Sequence, residues 1–172
     1  MRSFEYAVHQ KTGEQMYKLA EIPEYQTISS AGADFFCAED VSVPSIWKSV
    51  AVALSNKGKE KQLKIQPTLV HTGIKAKMEP DEVLEIYNRS SNPKKLGLIL
   101  ANSVGIIDAD YYGNPDNDGE IMFAFYNFMP WDVTVKQGDR IGQGIFKKFL
   151  RPTENLRIKD ATRSSGFGST GK

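Results

Sequence analysis

Residues 104–113 read Val104–Gly105–Ile106–Ile107–Asp108–Ala109–Asp110–Tyr111–Tyr112–Gly113. An apolar, β-branched run ends there on two carboxylates. Branching at Cβ favours a pleated, half-buried surface over a helix, so the stretch reads as a strand entering a turn. Gly105 and Gly113 bracket it like the ends of a hairpin, and on an extended backbone Asp108 and Asp110, two apart, face one side. Further apolar runs lie on either side of it. Val83 to Tyr87 and Leu96 to Val104 precede it, and Ile121 to Phe128, Trp131 to Val135 and Ile141 to Phe149 follow. Upstream, Phe35 to Val43 alternates in part, and Val50, Val52 and Leu54 fall on one face of a strand. Turn clusters separate the runs at Asn56–Lys57–Gly58, Glu79–Pro80–Asp81, Ser91–Asn92–Pro93, Asn114 to Gly119 and Gln137–Gly138–Asp139. No long helical stripe and no internal repeat stand out. Many short strands at this spacing predict an all-β sandwich or jelly roll.

At 172 residues the chain has single-domain length, enough to bury about 70% of its unfolded surface. Apolar residues at 40% and charged residues at 25% exclude both a disordered and a membrane-embedded class. Twenty-two Lys and Arg stand against 21 Asp and Glu, a net charge of +1. That balance lacks the basic excess of a nucleic-acid binder. A single cysteine, Cys37, excludes an internal disulfide framework; with only His9 and His71 beside it, a Cys/His zinc cage is excluded too. No apolar run reaches the roughly 20 residues of a membrane span. Met1 to Gln10 does not read as a signal peptide. A soluble cytoplasmic domain is expected.

Three segments carry the polar chemistry. Asn88–Arg89–Ser90–Ser91 follows the strand Val83 to Tyr87; an Arg and two hydroxyls at a strand end make either an ordinary polar turn or a phosphate clamp. Asp108, beside Ile106 and Ile107, is partly desolvated, which suits a proton acceptor, with a strand-end Asx turn as the plain alternative. The tail Arg163 to Lys172 reads RSSGFGSTGK, with three glycines, four hydroxyl residues and one aromatic. It is either a frayed terminus or a nucleotide lid. In the lid reading Gly166, Gly168 and Gly171 free backbone N–H groups for an anion, Ser169 and Thr170 add hydroxyls, Arg163 forks onto phosphate, and Phe167 stacks on a base. The Lys- and Asn-rich stretch Ser55 to Lys64 reads as a solvated loop. Asp34, Asn102 and Gln143 are further polar residues in apolar surroundings.

Taken in order, these segments resemble the five motifs of the homotrimeric dUTPase family. Ala31–Gly32–Ala33–Asp34–Phe35 matches the first motif and Asn88 to Ser91 the second. Gly105 to Gly113 matches the third, Gly138–Asp139–Arg140–Ile141–Gly142–Gln143 the fourth, and Arg163 to Gly171 the fifth. The resemblance implies a distorted jelly roll over residues 1–162, with a C-terminal arm, 163–172, closing over the active site. It implies a homotrimer with sites shared between subunits, and conversion of dUTP and water to dUMP and pyrophosphate with Mg2+ on the triphosphate. In these terms Asp108 is the general base, and Tyr111 packs under the deoxyribose, leaving no room for a 2′-hydroxyl. Asn102 and the backbone at Gly105, Ile106 and Ile107 read the uracil edge, with Met122 a further contact. Arg89, Ser90, Ser91 and Gln143 hold phosphates. Phe167 and Gly168 close on the base, and Arg163, Ser169 and Thr170 on the triphosphate. Asp34 and Gln143 meet the metal only through water.

The chain departs from the family pattern in four places. Gly142 stands where Ala is usual, a harmless small-for-small change by expectation, and Asn88 stands where Pro is more frequent. The segment Asn114–Pro115–Asp116–Asn117–Asp118–Gly119 is an insertion expected to lengthen a hairpin tip just before Met122. The Ser55 to Lys64 loop is longer than the compact pattern. Two other functions are compatible with the same fold: a dCTP deaminase, alone or bifunctional, and a dUTPase-like regulatory protein binding a partner through one of the inserts. The hydrolase reading implies no nucleic-acid or membrane partner.

Overall fold

The computed structural model describes residues 1–55 and 65–154. Within them eleven strands form four antiparallel sheets. The largest runs in the order β2 (Ala33–Phe36), β11 (Arg140–Lys148), β6 (Glu82–Asn88), β8 (Val104–Asp108). A second has β9 (Met122–Asn127) between β4 (Thr68–His71) and β7 (Leu98–Leu100). β1 (Ser3–Tyr6) pairs with β5 (Ile74–Lys77), and β10 (Val133–Val135) with β3 (Val41–Val43). The core lies between the sheets. Phe35 of β2, Leu84 and Ile86 of β6, and Phe123 and Phe125 of β9 are almost wholly buried in it. An aromatic row runs through it, with centroids 5.3 Å apart for Phe4–Phe35, 5.6 Å for Phe35–Phe123 and 6.2 Å for Phe123–Phe125. Asn127, also fully buried, donates to the Val43 and Trp131 carbonyls and accepts from the Met129 N–H. A satisfied amide of this kind welds a corner where an apolar side chain would leave carbonyls bare.

The expected all-β pattern holds, with corrections. Val50, Val52 and Leu54 lie not on a strand but in the helix α1, Ile46–Ser55. Ser45 starts it by accepting the Trp47 N–H on its hydroxyl at 3.2 Å, an N-cap contact. Ile46 and Val50 are the partly buried apolar positions, four apart, whereas Val52 and Leu54 are exposed. The helical period was present in Ile46, Val50 and Leu54, masked by the accidental alternation of Val50–Val52–Leu54. The run Leu96 to Val104 is broken: a π-helical turn, Asn92–Leu96, ends on Gly97 at φ 61°, and Ser103 at φ 60° turns the chain between β7 and β8. β1, β4 and β5 carried too few apolar residues to be picked out.

The 104–113 stretch is a strand and turn, but not a hairpin. β8 pairs with β6, and the next strand, β9, belongs to the other sheet. Ala109–Tyr111 is a single 3-10 turn, so Asp108 and Asp110 are not alternate residues of one extended segment; Asp108 is half-buried and Asp110 exposed. The 114–119 insert does not project as a longer tip. Asn114 and Asp118 are buried, and the loop folds back on β5, where Asp118 meets Lys75.

Candidate active site

Three strands bring the first, second and fourth motifs together. Gln143 of β11 lies opposite Asp34 of β2 and, on its other side, opposite Tyr87 of β6. Arg140, at the start of β11, donates to the Asp34 carboxylate at 3.2 Å. Arg89, one residue beyond β6, reaches the same carboxylate at 4.0 Å and donates to the Arg140 carbonyl at 3.1 Å. A groove of about 450 Å³ opens beside them, with Arg89, Ser91, Lys95 and Arg140 on its walls. Three cations and a hydroxyl line the opening together with Asp139, and Asp34 already pairs with both guanidiniums; guanidinium forks match phosphate oxygens bidentately, so the lining suits an anion. Ser90 is exposed at the turn. Arg140 and Lys95 were not singled out from sequence. Arg140 stood inside a quoted motif, but Lys95 has no signal until the turn at 92–96 curls it toward Arg89.

The two departures in this region have physical causes. Asn88 donates to the Leu98 carbonyl at 2.9 Å and accepts from the Asn92 amide at 2.8 Å, and Asn92 also donates to the Ile141 carbonyl at 2.8 Å. These bonds tie the end of β6 to β7 and β11, a task Pro has no side-chain donor to perform. At Gly142, a Cβ would stand 1.9 Å from Cε1 of Phe123. The ring occupies the space an alanine needs, so this position is tied to a neighbour and is not freely interchangeable.

The third motif runs along β6 away from Arg89, from Gly105 opposite Ile86 to Asp108 at the far end of the strand. Asp108 is registered against Val83, whereas Val104 is opposite Tyr87. Six residues separate Val83 from Arg89, roughly 20 Å at the strand rise of about 3.3 Å. Asn102 is exposed, and its amide lies against Gly105, where a Cβ would meet Ile86 at 2.3 Å and Asn102 at 3.2 Å. The absence of that side chain lets backbone and Asn102 approach together. Ile106 is 55% exposed, outward on β8, and Ile107 is half-buried. Tyr111 is 6% exposed; its hydroxyl donates to the Glu120 carbonyl at 3.2 Å and accepts from Asn117 at 2.8 Å. Met122 opens β9 two residues after Glu120, opposite His71. The buried Glu120 carboxylate accepts from the Gly73 N–H at 3.0 Å and pairs with His71 at 3.1 Å. That hydrogen bond raises the His71 pKa above its ordinary value, against the opposing pull of burial. Arg163, Phe167, Gly168, Ser169 and Thr170 lie outside the described residues, as does the 56–64 stretch.

A protein-family model for dUTPase matches residues 18–171. The deoxyuridine 5'-triphosphate nucleotidohydrolase of Lactococcus lactis is 42% identical over 150 residues, 87% of each chain. Among solved structures, the dUTPase of Streptococcus mutans superposes with a TM-score of 0.67 at 34% identity, covering 87% of this chain and 98% of that one. A point mutant of the dUTPase of Staphylococcus aureus phage phi11 shares the fold at 15% identity, TM-score 0.61, over 94% of this chain and 97% of that one; its structure reveals the coordination of a structural Mg(II) ion.

Proposed function

The chain belongs to the dUTPase family, and from that membership we propose that it hydrolyses dUTP to dUMP and pyrophosphate at a site assembled between copies of itself. The observation that carries the activity is the family match, which runs through all five motif positions rather than one segment. Water attacks the α-phosphorus, a P–O bond forms, and the bond to the bridging oxygen breaks as pyrophosphate leaves. Asp108 takes the water's proton. Arg89, Ser90, Ser91 and Gln143 hold the phosphates, which places charge neutralisation and positioning ahead of covalent chemistry. Asn102 and the 105–107 backbone pair with uracil, and Tyr111 faces the sugar. The arm 163–172 closes over the nucleotide, Phe167 and Gly168 on the base and Arg163, Ser169 and Thr170 on the triphosphate.

The distance along β6 supports a shared site. Within one chain the Arg89 guanidinium turns to Arg140 and Asp34, away from the β6 end that carries Asp108. A second and third copy supply the missing end, as in the homotrimer the family resemblance implies. The donor set fits magnesium carried on the triphosphate. Asp34 is held by two guanidiniums, so that Asp34 and Gln143 would meet the metal through its water shell. Bound there, magnesium offsets the phosphate charge.

A product assay tests the reading. dUTP with magnesium yields dUMP and pyrophosphate, and labelled solvent oxygen enters dUMP; label in pyrophosphate overturns attack at the α-phosphorus. Ammonia released from dCTP identifies a deaminase instead. Asp108→Asn lowers kcat by orders of magnitude with nucleotide affinity nearly unchanged, the pattern of a lost base. A collapse of affinity with kcat retained contradicts that role.

A further inference from the structure

The insert at 114–119 is the segment that the family reading leaves without a task, and its contacts give it one. Its two buried polar residues, Asn114 and Asp118, anchor it. Asp118 sits at φ 57° and accepts from Lys75 at 2.6 Å and from the Val8 N–H at 2.9 Å. Asp118 and Lys75 are 6% and 8% exposed, so this is a buried ion pair closing the loop onto β5. Asn114 accepts the Asp118 N–H at 2.7 Å on its carbonyl, and Gly113 donates to the Asp118 carbonyl at 3.1 Å. Lys75 also lies 4.8 Å from the centroid of the Tyr112 ring, whose hydroxyl donates to Glu5. Gly119 completes the turn where a Cβ would come within 2.4 Å of the Tyr111 carbonyl.

From this anchored loop, Asn117 reaches the ring. Its amide nitrogen donates to the Tyr111 hydroxyl at 2.8 Å and to the Glu120 carbonyl at 3.3 Å, while its amide oxygen accepts the Gly119 N–H at 3.2 Å. The amide is thus oriented at both ends. The Tyr111 hydroxyl, which donates its one hydrogen to Glu120 at 3.2 Å, is held from a second direction. Two hydrogen bonds on one hydroxyl fix where the ring stands as well as whether it is buried.

We propose that the insert is a specificity device of this chain, with Asn117 a positioning residue that sets the Tyr111 ring against the sugar and so sharpens rejection of a 2′-hydroxyl. This rests on the reading of Tyr111 as the residue under the deoxyribose. A ring free to retreat by about 1 Å admits one more oxygen atom, and displacements of that size change rates by up to about 10²-fold. The hydroxyl excluded here meets a wall rather than an unpaired polar group, so discrimination depends on how rigidly the wall is held.

The test compares kcat and KM for dUTP and UTP, with melting temperatures, in Asn117→Ala, Asn117→Asp, Tyr111→Phe and Tyr111→Ala. Asn117→Asp keeps the acceptor for Gly119 and removes the amide donor to the Tyr111 hydroxyl and to the Glu120 carbonyl. Asn117→Ala and Asn117→Asp each lower the dUTP-over-UTP preference about tenfold, mainly through a lower KM for UTP, with kcat for dUTP largely kept, and Tyr111→Phe lowers the preference at least as far. The Asn117→Ala, Tyr111→Phe double variant loses less preference than the sum of the two single losses, because both changes remove the bond between Asn117 and the Tyr111 hydroxyl. Unchanged preference in both Asn117 variants, while Tyr111→Ala abolishes it, overturns the role of Asn117 and leaves the Tyr111 reading standing. Unchanged preference in Tyr111→Ala overturns the Tyr111 reading itself. A fall in melting temperature with preference intact assigns the insert to stability alone and also refutes the proposal.

Discussion

Replacing Gly142 by alanine restores the residue the family pattern favours, yet here it is expected to destabilise the protein. The added Cβ would lie 1.9, 2.6 and 2.7 Å from three atoms of the Phe123 ring, where ordinary contact begins at 3.4 Å. The ring must retreat by more than an ångström. It is fully buried and sits between Phe35 and Phe125, at centroid distances of 5.6 and 6.2 Å, so its retreat disturbs both. Overpacking of this kind costs about 1–3 kcal/mol. Alanine regains about 0.5–1 kcal/mol by restricting the unfolded chain, which leaves a net loss of roughly 0–2.5 kcal/mol, about 1–2 kcal/mol in the middle of that range. For a chain of this length that lowers Tm by roughly 2–8 °C. Thermal melting at one fixed protein concentration measures it, because assembly makes Tm concentration-dependent. Phe123→Leu in the same background tests the cause. The loss on adding alanine should shrink by at least about 0.5 kcal/mol once the ring is trimmed. A Gly142→Ala protein that melts at or above the parent, or a strictly additive cycle, refutes the argument from the ring.

Two further outcomes follow from buried charges. Asp118→Asn keeps the shape and the tolerance for positive φ but leaves the Lys75 ammonium without its partner; breaking a buried pair costs about 3–5 kcal/mol, read as a loss of Tm, and an unchanged Tm would show that the pair is not buried in solution. His71 contributes through its bond to Glu120, which raises its folded pKa above the usual 6.5. Its stabilisation is therefore complete below pH 6.5 and disappears as pH rises through the raised value. Melting temperature should decline across that alkaline flank, and His71→Gln should flatten the decline; an identical pH profile in the variant contradicts the assignment.

Local pattern made much of this molecule legible. β6, β9 and β11 are long enough, and apolar enough, for periodicity to mark them, and clusters of Pro, Gly, Asn and Asp marked the turns at 79–81, 114–119 and 137–139. The motif residues were legible as well, because their types at those spacings serve few chemistries: Arg89 with two serines after a strand, and Asp108 closing an apolar one. Helix α1 was missed because Val50, Val52 and Leu54 imitate strand alternation over a stretch too short to contradict it. β1, β4 and β5 owe their existence to partners far along the chain, and pairing energy between distant segments leaves no local trace.

Side-chain chemistry was written in the order of residues, but which groups meet depended on three-dimensional packing. That Arg140 and Arg89 grip one carboxylate, that Phe123 occupies the space at Gly142, and that the 114–119 segment turns inward to hold Tyr111 all depend on contacts between residues distant in the chain or on a loop's return path. Such contacts are selected by the shape of the whole core. Periodicity and motif spacing report only on neighbours within a few residues. The direction a loop takes is decided by a buried partner such as Lys75, which lies 43 residues before Asp118.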